Sequence, residues 1–253
     1  MSGRRNQSDL REALQRGYIS KPLHYNTISK YLEQEDLTPY FKQLIVESSR
    51  PLRVVESDFA VDSSGFSTGQ FTRWLHAKYG KAHYRDKEEW LKCHIMCGAK
   101  TNIVTSVEIT DRSGGDSPQF KPLVEATARN FRMIEVSADK AYLSTANLRL
   151  VTEKHAMPYI PFKSNSTASS VGTKQDPMWK WFFHYYMEHY HKRSNVETTF
   201  SMIKAKFGER LRSKTYTAQV NEILCKVLCH NVCCLIQSIY ELGVEPSFWT
   251  KNE

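Results

Sequence analysis

The chain has 253 residues, of which 40% are hydrophobic and 25% charged. These fractions match a globular protein and exclude wholesale disorder, and the length suits one large domain or one domain with a small appendage. Lys and Arg number 35 against 27 Asp and Glu, a net charge of +8, which favours a polyanionic partner, nucleic acid before an anionic membrane.

The first fifty residues read as short helices. Leu10 and Leu14 fall at helical spacing, Thr27 is positioned to cap a helix through Ile28, Tyr31 and Leu32, and Thr38-Pro39 opens a third with Phe41, Leu44 and Ile45 on one face. Three such helices form either a helix-turn-helix-like DNA reader or a lead-in packed on the main domain; no homeodomain-type pattern favours the first. Ser48-Ser49-Arg50-Pro51 reads as a break.

Beyond it, Leu52 to Val61 reads as a strand that carries two acids and ends at Ser63-Ser64-Gly65. Trp90 to Ala99 and Asn102 to Ile109 are the next strands, the second rich in β-branched residues. DRSGGD, Asp111 to Asp116, is a turn. Ser117-Pro118 then opens a helix with Phe120, Leu123, Val124 and Thr127 on one face. Met133 to Ala138 is a short strand with Asp139 at its end, Ser144 caps a further helix, and Pro158 to Phe162 is a short strand whose prolines put it at an edge or keep it very short. Ser164 to Pro177 is a polar loop, Met178 to Phe207 an aromatic-rich helical region stopped by Gly208, and Ala218 to Leu242 a final helix.

Three consecutive strands followed by strand–helix alternation predict a mixed α/β sheet: an antiparallel meander extended by parallel strands, flanked by helices, in the RNase H-like layout of five strands. The expected organisation is a helical segment over 1–50, a catalytic domain over 51–242 and a tail over 243–253. Val227 to Tyr240 is the longest apolar stretch, but it contains His, Asn and Gln and is shorter than the roughly 20 residues of a membrane span. The N-terminus lacks the apolar segment of a secretory signal, so a cytoplasmic location and six reduced cysteines are expected. Cys225, Cys229 and Cys233 recur every four residues and predict one buried helical stripe. As metal ligands they would span about 12 Å of helix axis, too far to converge on one zinc.

Three carboxylates stand in contexts that chemistry can use. Asp62 follows a strand and precedes a turn, Asp139 ends a parallel strand, and Glu197 lies in a long helix. Acids at the C-terminal ends of neighbouring strands face one crevice, and a helical Glu completes the group. Three carboxylates in one small site repel unless a cation offsets them, and two Mg²⁺ ions meet that need while clamping the attacking and leaving oxygens of a phosphodiester. Asp58 and Glu56 rival Asp62 by position. Tyr190, Arg193, Glu197 and Lys204 fall on one helical stripe, an arrangement suited to a groove in which the acid holds metal and the cations hold phosphate. Lys206, Arg210, Arg212 and Lys214 extend the basic run.

The spacing of Tyr190, two residues, Arg193, three residues, Glu197, six residues, Lys204 is that of the YREK signature of bacterial insertion-sequence DDE transposases, which the chain resembles from about Arg53 to Leu235. Asp62 in VDSSGF resembles the family's first Asp motif, with Ser64 where Thr is usual, and Asp139 in SADKAY resembles the second. That match favours Asp62 over Asp58. The interval between Asp139 and Glu197 is too short for the large β-strand insertion of some members.

The resemblance implies an RNase H-like catalytic domain in which Asp62, Asp139 and Glu197 bind two Mg²⁺ ions, with Mn²⁺ able to substitute. It implies cleavage at transposon ends and strand transfer into target DNA, with Tyr190, Arg193 and Lys204 on the DNA near the cut. It also implies a homodimer that pairs two terminal repeats, in the cytoplasm and on the nucleoid when bound. The alternatives are an RNase H-like nuclease that cuts without joining, and a truncated or domesticated copy that binds DNA only.

Overall fold

The computed structural model describes residues 7–68, 90–162 and 194–246. In chain order the elements are α1 (Gln7–Gln15), α2 (Tyr25–Leu32), α3 (Leu37–Ser49), a 3₁₀ turn (Arg50–Val54), β1 (Asp58–Ser67), β2 (Trp90–Gly98), β3 (Val104–Asp111), α4 (Asp116–Ala128), β4 (Glu135–Ala138), a 3₁₀ turn (Lys140–Tyr142), α5 (Thr145–Glu153), β5 (Met157–Tyr159), α6 (Ser194–Phe207) and α7 (Tyr216–Leu242).

The strands form one sheet in the order β3-β2-β1-β4-β5. β1, β2 and β3 pair antiparallel as a meander, while β4 and β5 join parallel on the other side of β1. This is the expected mixed five-stranded α/β sheet of RNase H-like layout. The three-residue edge strand β5 carries Pro158, a residue without a ladder donor.

Side-chain alternation along β1 splits the core in two. Phe59 and Val61 join Met96 beneath α4 and α5, and Ala60 and Phe66 join Cys93 and Ile95 beneath α3, α6 and α7. A fully buried side chain such as Phe66 contributes about 2 kcal/mol. Both faces of the sheet are therefore covered, which fixes the register of β1 and with it the side to which each polar residue points.

Several elements depart from the sequence reading. Leu52 is not in a strand: it lies in a 3₁₀ turn, and β1 begins six residues later. β1 also does not end at Ser63-Ser64-Gly65 but pairs with β2 as far as Ser67↔Trp90. Gly65 permits this, because a Cβ there would lie 3.0 Å from the Trp90 ring. Helix α2 starts before Thr27 and is capped by His24, whose Nδ1 accepts from the Asn26 N–H.

The N-terminal helices differ in how they attach. Ile45 of α3 is fully buried in the core, and Asn231 of α7 bonds the carbonyls of Ile45 and Val104 and accepts from the Val104 N–H. Asn221 ties the α2–α3 link to α7 through the carbonyls of Leu32 and Gln34 and the Thr38 hydroxyl. No residue of α1 is buried.

By length and composition α7 could cross a membrane. Its sheet-facing stripe, Val220, Leu224, Val227, Asn231, Cys234 and Ser238, is instead buried in the protein. The cysteine stripe lies on the adjoining flank. Cys229 is exposed and Cys225 and Cys233 are half-buried, which corrects the expected buried stripe: the i, i+3, i+4 pattern that includes Val227 and Cys234 takes the core position.

Candidate active site

Asp62 lies in mid-β1 relative to β2, opposite Ile95, but at the end of the pairing with β4, whose last register pair is Val61↔Ala138. The next residue on each strand is an aspartate, so Asp62 and Asp139 leave the parallel pair side by side. Asp139 turns out of the strand as the cap of the following 3₁₀ turn, its carboxylate accepting from the Lys140 N–H. The Asp62 carboxylate accepts from the Ser63 N–H at 2.8 Å.

Glu197 comes from α6, which runs alongside β1 in the same direction. Asn195 donates to the Ala99 carbonyl near the start of β1, Thr199 contacts Cys97 opposite Ala60, and Lys204 donates to Ser64 at 2.8 Å. Val196, Thr199, Phe200 and Ile203 face the core. Glu197 and Lys204 are seven residues apart, about 20° in helical angle, and therefore share one stripe at the margin of that buried face. Ala60, Ser64 and Phe66 point to α6 by alternation, as does Asp62. Glu197 and Asp62 thus share a flank, with Asp139 beside Asp62. Tyr190 and Arg193 lie outside the described residues.

Among the described residues, no three His, Cys, Asp or Glu side chains converge closely enough to hold a metal by themselves. The donor set is nevertheless oxygen only, as Mg²⁺ requires. Mg²⁺ commonly takes one or two carboxylates and completes its shell with water and substrate phosphate, which fits the pair of adjacent aspartates.

The rival acids separate clearly. Glu56 is almost fully buried, and its carboxylate accepts from the N–H groups of Lys100 and Thr101. It closes the β2–β3 turn, and burial pushes its pKa up. Asp58 shares the Asp62 face but opens β1 opposite Glu135, about 13 Å along the strand from Asp62.

A second polar group lies behind Asp62 on the α4 side of the sheet. Asp116, in the first turn of α4, accepts from the Ser63 hydroxyl at 2.8 Å and pairs with Lys92 Nζ at 2.6 Å. His94 Nδ1 stands 3.4 Å from the same carboxylate oxygen, and burial lowers the His94 pKa to about 4, so the ring is neutral at neutral pH. The Tyr142 hydroxyl is buried and approaches Ser63 without completing a hydrogen bond of good geometry. Burial, and then the charges of Asp116, Asp62 and Asp139, push its pKa up. The sequence reading took Asp116 as the end of a turn and missed this group, because no local spacing links Ser63, Lys92 and Asp116.

The Transposase DDE domain family profile matches residues 54–232. The chain belongs to that family. The match spans β1 through most of α7 and contains Asp62, Asp139, Glu197 and Lys204. No curated protein matches the sequence. Among solved structures, a piggyBac transposase synaptic complex with hairpin DNA is similar at 9% identity and a TM-score of 0.46, over 85% of this DDE-domain chain. The chain spans 57% of the length of that one.

Proposed function

We propose that this DDE-family protein is a DNA transposase that cleaves phosphodiesters at the ends of its element and joins them to target DNA. The observation that carries the reading is the register of β1 and β4, which sets Asp62 and Asp139 side by side on the flank that α6 lines with Glu197 and Lys204.

In this reading Asp62, Asp139 and Glu197 hold two divalent cations, Mg²⁺ or Mn²⁺. When bound, such ions neutralise the phosphate and clamp the attacking and leaving oxygens. Asp62 and Asp139 would hold the ions from the sheet side, and Glu197 would hold them from α6. Lys204 supplies a point charge to a phosphate near the cut end, with Tyr190 and Arg193 preceding it on the DNA path. Water first, and then the freed 3′-hydroxyl, attack phosphorus in line. The active form is a homodimer holding two ends, working on DNA in the cytoplasm and on the nucleoid.

The test is incubation with a supercoiled plasmid carrying the DNA that flanks this reading frame, with Mg²⁺ or Mn²⁺, reading cleavage and joining on one gel. Cutting at the ends with joined products, lost in Asp62→Asn, supports the transposase. Random nicking without joining replaces it with a nuclease. Tight binding without reaction replaces it with a DNA-binding protein.

A further inference from the structure

Asp116 does what a first-turn helical acid rarely does. Such residues ordinarily complement the helix dipole from solvent, but Asp116 has a side chain only 20% exposed and spends it on the sheet. Its partner Ser63 is the residue after Asp62, pointing to the opposite face of β1. Ser63 is held at both ends: its hydroxyl donates to Asp116, and its N–H donates to the Asp62 carboxylate.

We propose that Asp116 is a positioning residue for Asp62, acting through Ser63. Pinning the Ser63 side chain fixes the rotation of β1 about its own axis at that point. That rotation sets where the Asp62 carboxylate points on the other face. The assignment rests on the reading of Asp62 as a metal-binding residue.

Three further features build the device. Lys92 lies diagonally across the β1–β2 pair and cancels the Asp116 charge, so the network adds no fourth uncompensated negative charge behind Asp62 and Asp139. His94 sits directly opposite Ser63 in register, its Nε2 at 2.9 Å from the Thr110 hydroxyl and its buried Nδ1 facing Asp116 without a hydrogen bond. Gly114 brings the turn before α4 down onto β3, since a Cβ there would lie 2.4 Å from the Thr110 hydroxyl. The start of α4, and with it Asp116, is thereby fixed against the sheet.

The experiment follows plasmid cleavage across Mn²⁺ concentration for wild type, Asp116→Ala, Ser63→Ala, Ser63→Thr, the Asp116→Ala/Ser63→Ala double variant and Asp62→Asn. Thermal midpoints and Mn²⁺ binding to the protein alone, by water-proton relaxation, are measured on the same set. Outer partners of metal-binding groups are worth about 10- to 100-fold in metal affinity. The expected result is about a tenfold rise in the Mn²⁺ concentration for half-maximal cleavage in Asp116→Ala and Ser63→Ala, with Mn²⁺ binding weakened in proportion. The double variant should be no worse than the poorer single, and Ser63→Thr, which keeps the hydroxyl, should match wild type. An unchanged Mn²⁺ requirement in Ser63→Ala overturns the positioning role, as does full additivity in the double variant. Lowered thermal stability in Asp116→Ala without a shifted Mn²⁺ requirement overturns it too. Wild-type cleavage by Asp62→Asn would instead remove the site reading beneath it, whereas an inactive Asp62→Asn beside wild-type-like Asp116→Ala removes the positioning role alone.

Discussion

Lys204 Nζ donates to Ser64 Oγ at 2.8 Å and lies 5.5 Å from the centroid of the Phe66 ring, which ties α6 to β1 two residues past Asp62. The ammonium is therefore held beside the proposed cleavage site rather than sweeping through solvent, and a phosphate arriving there meets a positioned charge. Lys204→Ala should weaken DNA binding and flatten the plot of log affinity against log salt by about one unit of slope, the signature of one lost phosphate contact. Fluorescence anisotropy with an end-bearing duplex at several salt concentrations measures both. An unchanged slope would make Lys204 a structural strut between α6 and β1.

Glu197 is exposed in the first turn of α6, so replacing it by Gln costs little folding stability, within about 0.5 kcal/mol. The change keeps the shape and removes one charge. Glu197→Gln should lower cleavage by more than about a hundredfold while leaving DNA affinity near wild type. Wild-type cleavage by this variant would remove Glu197 from the site.

The fold was legible where local patterning decides it: the meander, the parallel extension, the Ser144 cap and the long last helix follow from alternation, cap residues and helical spacing. Asp62 and Asp139 were legible as positions at the ends of neighbouring strands, and the structure adds the register that sets them side by side, because register depends on pairing across 77 residues of chain that no local motif encodes. The end of β1 was misread because Ser-Ser-Gly is turn-like in isolation. Pairing with β2 on one side overrides that preference. The Asp116 network was invisible for the same reason as the β1–β4 register: its members come from three elements and meet only when the sheet has formed.

Gly98 and Glu56 meet at the β2–β3 turn with no room to spare. A Cβ on Gly98 would lie 2.3 Å from Glu56 Cδ, so Gly98→Ala must displace a buried carboxylate that satisfies two backbone donors. The expected loss is about 1–3 kcal/mol for each N–H left unsatisfied. Urea denaturation gives the value. A loss below 0.5 kcal/mol would mean that the turn rearranges freely.

Asn231 bonds two carbonyls, the Ser48 hydroxyl and the Val104 N–H from a fully buried position, joining α3, β3 and α7. Asn231→Leu keeps the size and strips those partners of their bonds. It should destabilise by about 3 kcal/mol or more, since several buried polar groups are orphaned together. A thermal midpoint within error of wild type would show that these helices are held by apolar contact alone.

His94 and His230 are both fully buried, and burial lowers both pKa values, His94 to about 4. For His94 the charge of Asp116 opposes that shift and Lys92 adds to it; for His230 the Asn102 carbonyl opposes it and Lys206 adds. The unfolded chain takes up these protons near pH 6.5, whereas the folded chain leaves His94 neutral down to about pH 4. Above pH 6.5 neither state is charged and the rings make no pH-dependent contribution. As pH falls from 6.5 towards 4 the unfolded state gains protons that the folded state refuses, so stability declines through that window and the His94 loss is complete below it. Glu56, raised by burial, works the other way as pH falls. Comparison with His94→Gln therefore isolates the ring, and its urea midpoints should fall less steeply than those of wild type between pH 6.5 and 5. Parallel curves for the two proteins would mean that the His94 ring takes up its proton at the same pH in the folded and unfolded chains, so that burial does not hold it neutral.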